Sequence, residues 1–595
     1  MQPFDEYSSR LARWSQELSR RQRTQGQLGN ARLAAGLLIA GVAAASLGPT
    51  WISPWWLALP AAVLFVLIVI HPRMERALQR ATRAKAFYDR CVARMQNRWA
   101  GSGSQGDALR DPNHVYADDL DLFGRGSLFE LLSTARTATG ERTLASWLLA
   151  PGEHSTVTAR QGAVAEMSSR LDLREDLSVI GDDIRAALDD RRLATWGARP
   201  AVRFFAGARW IALLLALAAA AAAGAWLLGR VTLRPFFYVA VVEILFAVVI
   251  RKQVGEITDS VNTPARELRL IALLLERLER ESFTSPALVA LRARLVAQTG
   301  GRATEHIRRL ERLVEWKEWA HNQIFAVVAA PLLWVPQFAM AIENWRQENG
   351  PHIADWIAAV GEFEALGSLA AFAYERSDAV FPTLLDVTEP SYDAVGLAHP
   401  LIAAKEAVAN DVQLGGETPL WIVSGSNMSG KSTLLRSVGL SVVMAWAGAP
   451  VVARELRLSR LKIGASLRAN DSLADHRSRF YAEIRKLKDI VDAAGAKQQV
   501  LFLLDELLSG TNSHDRRIGA EALIKGLLER GAIGLATTHD LALAEIAESL
   551  GGRAKNVHFE DQFESGKIAW DYHLRPGVVK RGNALELMRA VGLEV

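Results

Sequence analysis

"IVSGSNMSGKSTLLRS", residues 422–437, contains Gly425-Ser426-Asn427-Met428-Ser429-Gly430-Lys431-Ser432, a full G-x-x-x-x-G-K-S. It completes a strand-like run, "LWIVSG", and opens a stretch of helical character. At such a junction the glycines let the backbone curl so that successive N–H groups face phosphate oxygens, and the helix N-terminus adds partial positive charge. Lys431 is expected to reach the β- and γ-phosphates and the Ser432 hydroxyl to ligate magnesium, with Thr433 closing the set of nucleotide-binding residues. ATP and Mg2+ are the cofactors this loop implies.

Three further stretches bear on the same chemistry. "VLFLLDE" places Asp505 and Glu506 at the end of a wholly apolar run, as a buried central strand would. Asp505 suits the magnesium shell beside Ser432, and Glu506 the positioning of an attacking water. "AIGLATTHD" is another apolar strand, ending in His539, near where a γ-phosphate is sensed. Lys431, Glu506 and His539 form the expected catalytic set. "SRFYAEIRKL" begins with Ser478 at a helix start, which on its own reads as an ordinary N-cap. From about residue 385 short β-rich runs alternate with helical patterns, so this part is expected to be an α/β fold with a mostly parallel sheet.

The rest of the chain has a different texture. Its 595 residues are 50% hydrophobic and 23% charged, a balance that fits two to four globular domains with added membrane segments. A single cysteine, Cys91, excludes an internal disulfide framework, and a net charge of +4 gives no whole-chain argument for nucleic acid. Residues 33–70 carry no charge and are interrupted by Gly48, Pro49, Ser53 and Pro54, which predicts two spanning helices over 33–50 and 52–71. Arginines crowd both flanks, from Arg10 to Arg32 and from Arg73 to Arg98, placing both ends of this hairpin in the cytoplasm by the positive-inside rule.

A second hairpin is expected over 210–228 and 231–250, with Glu243 inside it. An ionised carboxylate there costs about 2.5–3.5 kcal/mol on insertion scales, so Glu243 is either a functional acid or one that is protonated or paired with a neighbouring helix. The third apolar stretch, "IFAVVAAPLLWVPQFAMAI" at 324–342, is divided by Pro331, Pro336 and Gln337. A fifth crossing would put the phosphate loop outside the cell, away from ATP, so this stretch is assigned to a buried soluble helix. "GSGSQGD" at 101–107 reads as a flexible joint. Amphipathic helical periodicity, as in "ELRLIALLLERLERESF", fills 115–200 and 255–380.

The order of these elements resembles the MutS family of ABC-type ATPases. "GSNMSGKST" is similar to its phosphate loop, with Ser426 and Ser429 where proline and glycine are usual. Ser478, Phe480 and Glu483 match its S-x-F-x-x-E signature, "DELLSGTNSHD" its Walker B region and "ATTHD" its switch histidine. "AHPLI" with His399, "AND" with Asn410 and Asp411, and "NVHF...YHLRPGV" resemble the edges of its ATPase domain. "DLDLFGRGSLFELLSTARTATGERTLASWLLAP" and "EFEALGSLAAFAYE" look like the start and end of its lever domain.

The resemblance implies ATP hydrolysis, a homodimer through the ATPase domains, and Ser478 acting in trans on the γ-phosphate. It also raises mismatched or branched DNA as a ligand. Against this, the first residues leave no room for the family's mismatch-reading wedge domain, and 253–320 is short for its DNA clamp. The basic residues 73–98 fit anionic lipid better than DNA. A transport motor without DNA binding and an ATP-binding scaffold are the alternatives.

The expected organisation is a basic cytoplasmic N-terminus (1–32), a transmembrane hairpin (33–71), a basic juxtamembrane helix and linker (72–110), and a first lever part (111–205). A second hairpin (206–250), a second lever part (251–385) and the ATPase domain (386–595) follow. This describes a multi-pass protein of the cell inner membrane with its ATPase domain in the cytoplasm.

Overall fold

The computed structural model describes residues 2–47, 53–180, 188–297, 300–426, 428–467, 479–495, 498–508, 511–539, 544–564 and 567–579. Two compact units are present. One comprises residues 1–134, 145–179 and 367–595, the other 135–144 and 180–366.

In the first unit a six-stranded sheet runs in the order Lys567–Pro576, Ala554–Glu564, Leu420–Ser424, Ile533–Thr538, Val500–Leu504, Lys462–Ser466. All neighbours are parallel except the first pair. The strand leading into the phosphate loop lies beside Ile533–Thr538, with Ser424 opposite Thr538. Val500–Leu504 lies on the far side of Ile533–Thr538, with Leu504 opposite Ala536. These three strands are buried along their whole length, as their unbroken apolar runs require of parallel strands covered on both faces. Their carboxyl ends therefore converge, and the loops leaving them carry the candidate chemistry.

Helix Lys431–Ala447 packs under the sheet so closely that a Cβ on Gly439 would lie 2.6 Å from Leu120 and 2.9 Å from Leu503. Residues 111–134 and 145–179, expected in the lever, thus belong to the same compact unit as the sheet.

The N-terminal segments form two long helices. Pro3–Leu47 is one helix from the basic region through the first apolar stretch, and Ala58–Met95 continues through position 71 with Pro72 inside it. The expected division between hairpin and juxtamembrane helix is therefore one continuous rod. The basic ends are docked: Tyr7, Phe87, Tyr88 and Cys91 form a cluster with Leu171. Arg94 pairs with Glu375 in the same buried region, and Arg10 meets Asp172 at 2.5 Å. Burial pushes the Cys91 thiol up to about 11, which fits a packed and inert cysteine.

The flexible joint expected at 101–107 is instead pinned. The buried Glu130 carboxylate accepts the Gly101 and Gly103 N–H groups at 2.7 and 2.9 Å. Gly106 takes a left-handed φ of 70°, and a Cβ there would lie 2.8 Å from both Phe123 and Phe129.

In the second unit, helix Arg234–Glu279 runs 46 residues, about 70 Å at 1.5 Å per residue. Its first half coincides with the expected second span, and its second half is amphipathic, burying Ile257, Val261, Ala265, Leu268, Ile271 and Leu275 at three- and four-residue spacings. Ala208, Ala212, Phe246, Ile250 and Met340 join helices Ala208–Leu227, Arg234–Glu279 and Trp334–Asn349 in one core.

The 324–342 stretch departs from expectation. Asn322 caps a short helix, Gln323–Ala329, through bonds to Ile324 N and Phe325 N, and its apolar side is open, with Ile324 86% and Val327 77% exposed. After a turn containing Pro331 and a left-handed Leu333, helix Trp334–Asn349 buries Ala339, Met340 and Ile342. Only this second half is a buried helix, because the turn directs the first half away from the core.

By length and composition, Pro3–Ser46, Trp55–Met95, Ala208–Leu227 and Trp334–Glu375 suffice to cross a membrane. In the first three the apolar stretch is almost wholly unburied, whereas that of Trp334–Glu375 is 72% buried, as a core element would be. The expected span over 231–250 is not among them, because Arg234, Glu243 and Arg251 break up its apolar run.

Candidate nucleotide site

Of the predicted residues, Met428 to Thr433 of the phosphate loop line one pocket of ≈ 650 Å³ with Asp505 and Glu506, at the carboxyl ends of the sheet strands, whereas Gly425, Ser426 and His539 are not among its lining residues. The loop bends through positive φ at Gly425 (152°), Met428 (68°) and Gly430 (106°). At Gly425 a Cβ would come within 2.8 Å of the Ser429 hydroxyl and 3.2 Å of the Phe559 carbonyl, so glycine is required both sterically and conformationally.

Lys431, the first residue of the following helix, is 5% exposed and donates to the Gly425 and Ser426 carbonyls at 2.8 and 2.7 Å. These bonds hold a buried ammonium at the mouth of a helix N-terminus, where an anion is favoured. Thr433 lines the pocket beside Ser432.

Ser432 Oγ donates to Asp505 Oδ2 at 2.5 Å. The other Asp505 oxygen accepts the Thr537 hydroxyl, and Thr537 Oγ1 in turn accepts the Glu506 N–H at 3.0 Å. Residues of three adjacent strands and loops thereby fix one carboxylate. Ser432 and Asp505 are a pair of oxygen donors of the kind Mg2+ takes.

Glu506 has a left-handed backbone, φ 49°, and its side chain stands 3.4 Å from Nδ1 of His539. Glu506 lines the pocket, and His539 is exposed beside it. The buried Glu483 accepts the Leu508 N–H at 2.7 Å and ties the helix Arg479–Gly495 to the segment after Glu506. Ser478 and Asn427 lie outside the described residues.

Several lining residues had no site role from sequence alone: His399, Ile402, Asn410, Phe559 and Tyr572. Asn410 accepts the Leu574 N–H and donates to the Tyr572 carbonyl, at 2.7 and 3.0 Å, holding Tyr572 in a left-handed conformation of φ 54°. The motifs containing His399, Asn410, Phe559 and Tyr572 were visible, but nothing in their spacing placed them around one cavity. Burial, with Arg436 adding to it, lowers His399 to about 4, so the ring is neutral at physiological pH.

Several residues of the basic stretch 73–98 are engaged within the chain. Arg80 pairs with Asp176 at 3.0 Å, Arg83 donates to the Val179 carbonyl at 3.0 Å, Lys85 pairs with Asp89 at 2.6 Å, and Arg94 pairs with Glu375.

Comparison with known proteins adds to this geometry. Residues 421–594 match the family described as MutS domain V, and residues 115–373 the family described as MutS domain III. The chain is 31% identical over 250 residues to the DNA mismatch repair protein MutS of Natronomonas pharaonis, covering 40% of this chain and 28% of that protein. It is 32% identical over 245 residues to the DNA mismatch repair protein MSH3 of Phaeosphaeria nodorum, covering 40% of this chain and 21% of that protein. It is 32% identical over 235 residues to the endonuclease MutS2 of Thermus thermophilus, covering 39% and 30%. The matched region thus spans less than a third of each relative.

Proposed function

The chain belongs to the MutS family, with its helical domain III and its α/β ATPase domain V, and on that premise we propose a membrane-anchored ATPase whose nucleotide cycle closes and reopens a homodimer. The observation that carries the nucleotide reading is the 2.5 Å contact of Ser432 with Asp505, in a pocket where the buried Lys431 occupies the loop's own carbonyls. A triphosphate offers Lys431 stronger, charge-assisted acceptors than those carbonyls. Ser432 and Asp505 would hold Mg2+, which would supply neutralisation of charge on the β- and γ-phosphates. Glu506 orients the attacking water, and His539, 3.4 Å away, holds that carboxylate in place. The lined walls formed by His399, Ile402, Phe559 and Tyr572 receive the base. Ser478 of the partner subunit completes the γ-phosphate site by family resemblance.

Anchoring is supported by the open apolar faces of the N-terminal helices and of Ala208–Leu227, where Leu37, Phe65, Val66, Leu214 and Leu217 are all more than half exposed. Contiguous apolar surface on that scale marks contact with hydrocarbon or protein. The docked base of the first hairpin lies in the same compact unit as the nucleotide pocket. Helix Arg234–Glu279 joins the apolar half of the second hairpin to a lever segment without a break, so that movement of one end carries the other.

A DNA-acting role is the second reading and rests on the relatives, which are named as mismatch repair proteins and an endonuclease. Pairing of Arg80, Arg83 and Arg94 within the chain weighs against the basic stretch as its contact surface.

Mixing subunits tests the shared site. Lys431→Ala and Ser478→Ala proteins, each inactive alone in steady-state ATP hydrolysis, recover activity on mixing, because one of the two sites then contains both an intact lysine and an intact serine. Absence of recovery, with dimers present by light scattering, overturns the trans assignment.

A further inference from the structure

Helix Arg234–Glu279 carries Glu243 in the middle of its apolar half, and the residue is only 5% exposed. Among the described residues its Oε1 has no hydrogen-bond partner. Glu243 lines a cavity of ≈ 600 Å³ formed with the segment around the turn after Gln323–Ala329. Apart from this carboxyl the walls are apolar, including Phe236, Ala240, Ala247, Ala329, Leu333 and Trp334. Alanines on both sides keep the space open where larger side chains would close it.

An unpartnered buried carboxyl oxygen costs free energy unless something donates to it. The cavity size falls within the range of small-molecule sites, and its chemistry asks for a hydrocarbon body with one hydrogen-bond-donating head. A cationic head answers both the missing donor and the charge, which a hydroxyl does only in part. Ile244 lines the cavity and is itself exposed, and Val248 on the same helix and Val327 on the short one are also exposed apolar side chains.

We propose that this cavity is a binding site for a lipophilic amine, with its ammonium on Glu243 and its chain among Phe236, Ala247, Ala329 and Trp334. The site belongs to the helical unit alone and does not involve the nucleotide pocket.

The test uses the full chain in phosphatidylcholine nanodiscs, labelled by a photoactivatable dodecylamine or by the matching dodecanol. Labelling by the amine is expected to saturate, to map to 236–247 and 326–336, and to be competed by unlabelled dodecylamine but not by dodecanol. Glu243→Gln, which keeps the shape and removes the charge, weakens amine binding about ten-fold or more, on the scale of a lost charge-assisted contact. Ala329→Trp fills the cavity without touching the carboxyl and also removes labelling, while nucleotide binding by both variants reports that the chain is folded. Equal labelling by amine and alcohol, non-saturable labelling, or undiminished labelling of Glu243→Gln overturns the proposal.

Discussion

Asp119 and Lys486 meet in an ion pair inside the ATPase unit, although 367 residues separate them in the chain. Asp119 is fully buried and also accepts the Leu467 N–H at 2.8 Å, the last described residue before the segment leading to Ser478. The start of the region matched by MutS domain III therefore holds both ends of the signature segment. Asp119→Ala leaves the Lys486 ammonium and the Leu467 N–H without this carboxylate. The expected cost is about 3 kcal/mol in urea unfolding, in the range for breaking a buried pair. ATP hydrolysis is expected to fall more than nucleotide affinity, since the altered contacts flank the signature segment and not the phosphate loop.

Gly106 tests the pinned segment at 101–107. Ala at this position meets both a left-handed backbone and the rings of Phe123 and Phe129. Gly106→Ala is expected to lower stability by about 2 kcal/mol, whereas a solvated linker would tolerate the change. Thermal unfolding of the purified chain distinguishes the two.

The contrast between these two regions shows what the amino-acid sequence discloses. Gly425, Gly430, Lys431, Ser432 and Asp505 were legible because phosphate chemistry fixes residue types and short spacings within one strand-loop-helix unit. The membrane-like stretches were legible as apolar runs, but their boundaries were not, since Pro72 sits inside a continuous helix. Glu130 gathers Gly101 and Gly103 from 29 and 27 residues away, and no local pattern announces such a contact. Likewise, the insertion of Ile533–Thr538 between Leu420–Ser424 and Val500–Leu504 brings Thr537 onto Asp505 through sheet order, which periodicity does not encode.

His399 gives a pH prediction whose sign follows from its neutral, partly buried ring. Its folded value lies at about 4, below the ordinary 6.5. Between these limits the unfolded chain binds a proton that the native state refuses, so stability falls as pH drops from about 6.5 towards 4 and is unaffected above that window. The loss attributable to this residue approaches roughly 3 kcal/mol at the acid end. His399→Gln is expected to flatten that part of the pH profile of the urea midpoint relative to the parent chain. Identical slopes for both proteins would contradict it.

Val66 and Leu217 are both more than half exposed within the apolar stretches of Trp55–Met95 and Ala208–Leu227. On an ordinary aqueous surface, arginine at either position changes stability by about 0.5 kcal/mol or less. In hydrocarbon each costs about 2.5–3.5 kcal/mol at a helix centre. The parent chain is expected to remain in the membrane pellet after alkaline carbonate extraction, and the Val66→Arg, Leu217→Arg double variant to be depleted from it. Release of the parent chain into the supernatant would remove the anchoring proposal and leave the nucleotide site untouched.

In the proposed cycle Glu506 acts on a nucleotide held by Lys431, Ser432 and Asp505. Single-turnover phosphate release by the full chain carrying Glu506→Gln tests it most directly, with equilibrium ATP binding measured on the same sample. Release is expected to slow about 10²- to 10⁴-fold, the scale of a lost general base, while ATP binding persists. Undiminished phosphate release from Glu506→Gln, with ATP bound, would contradict it.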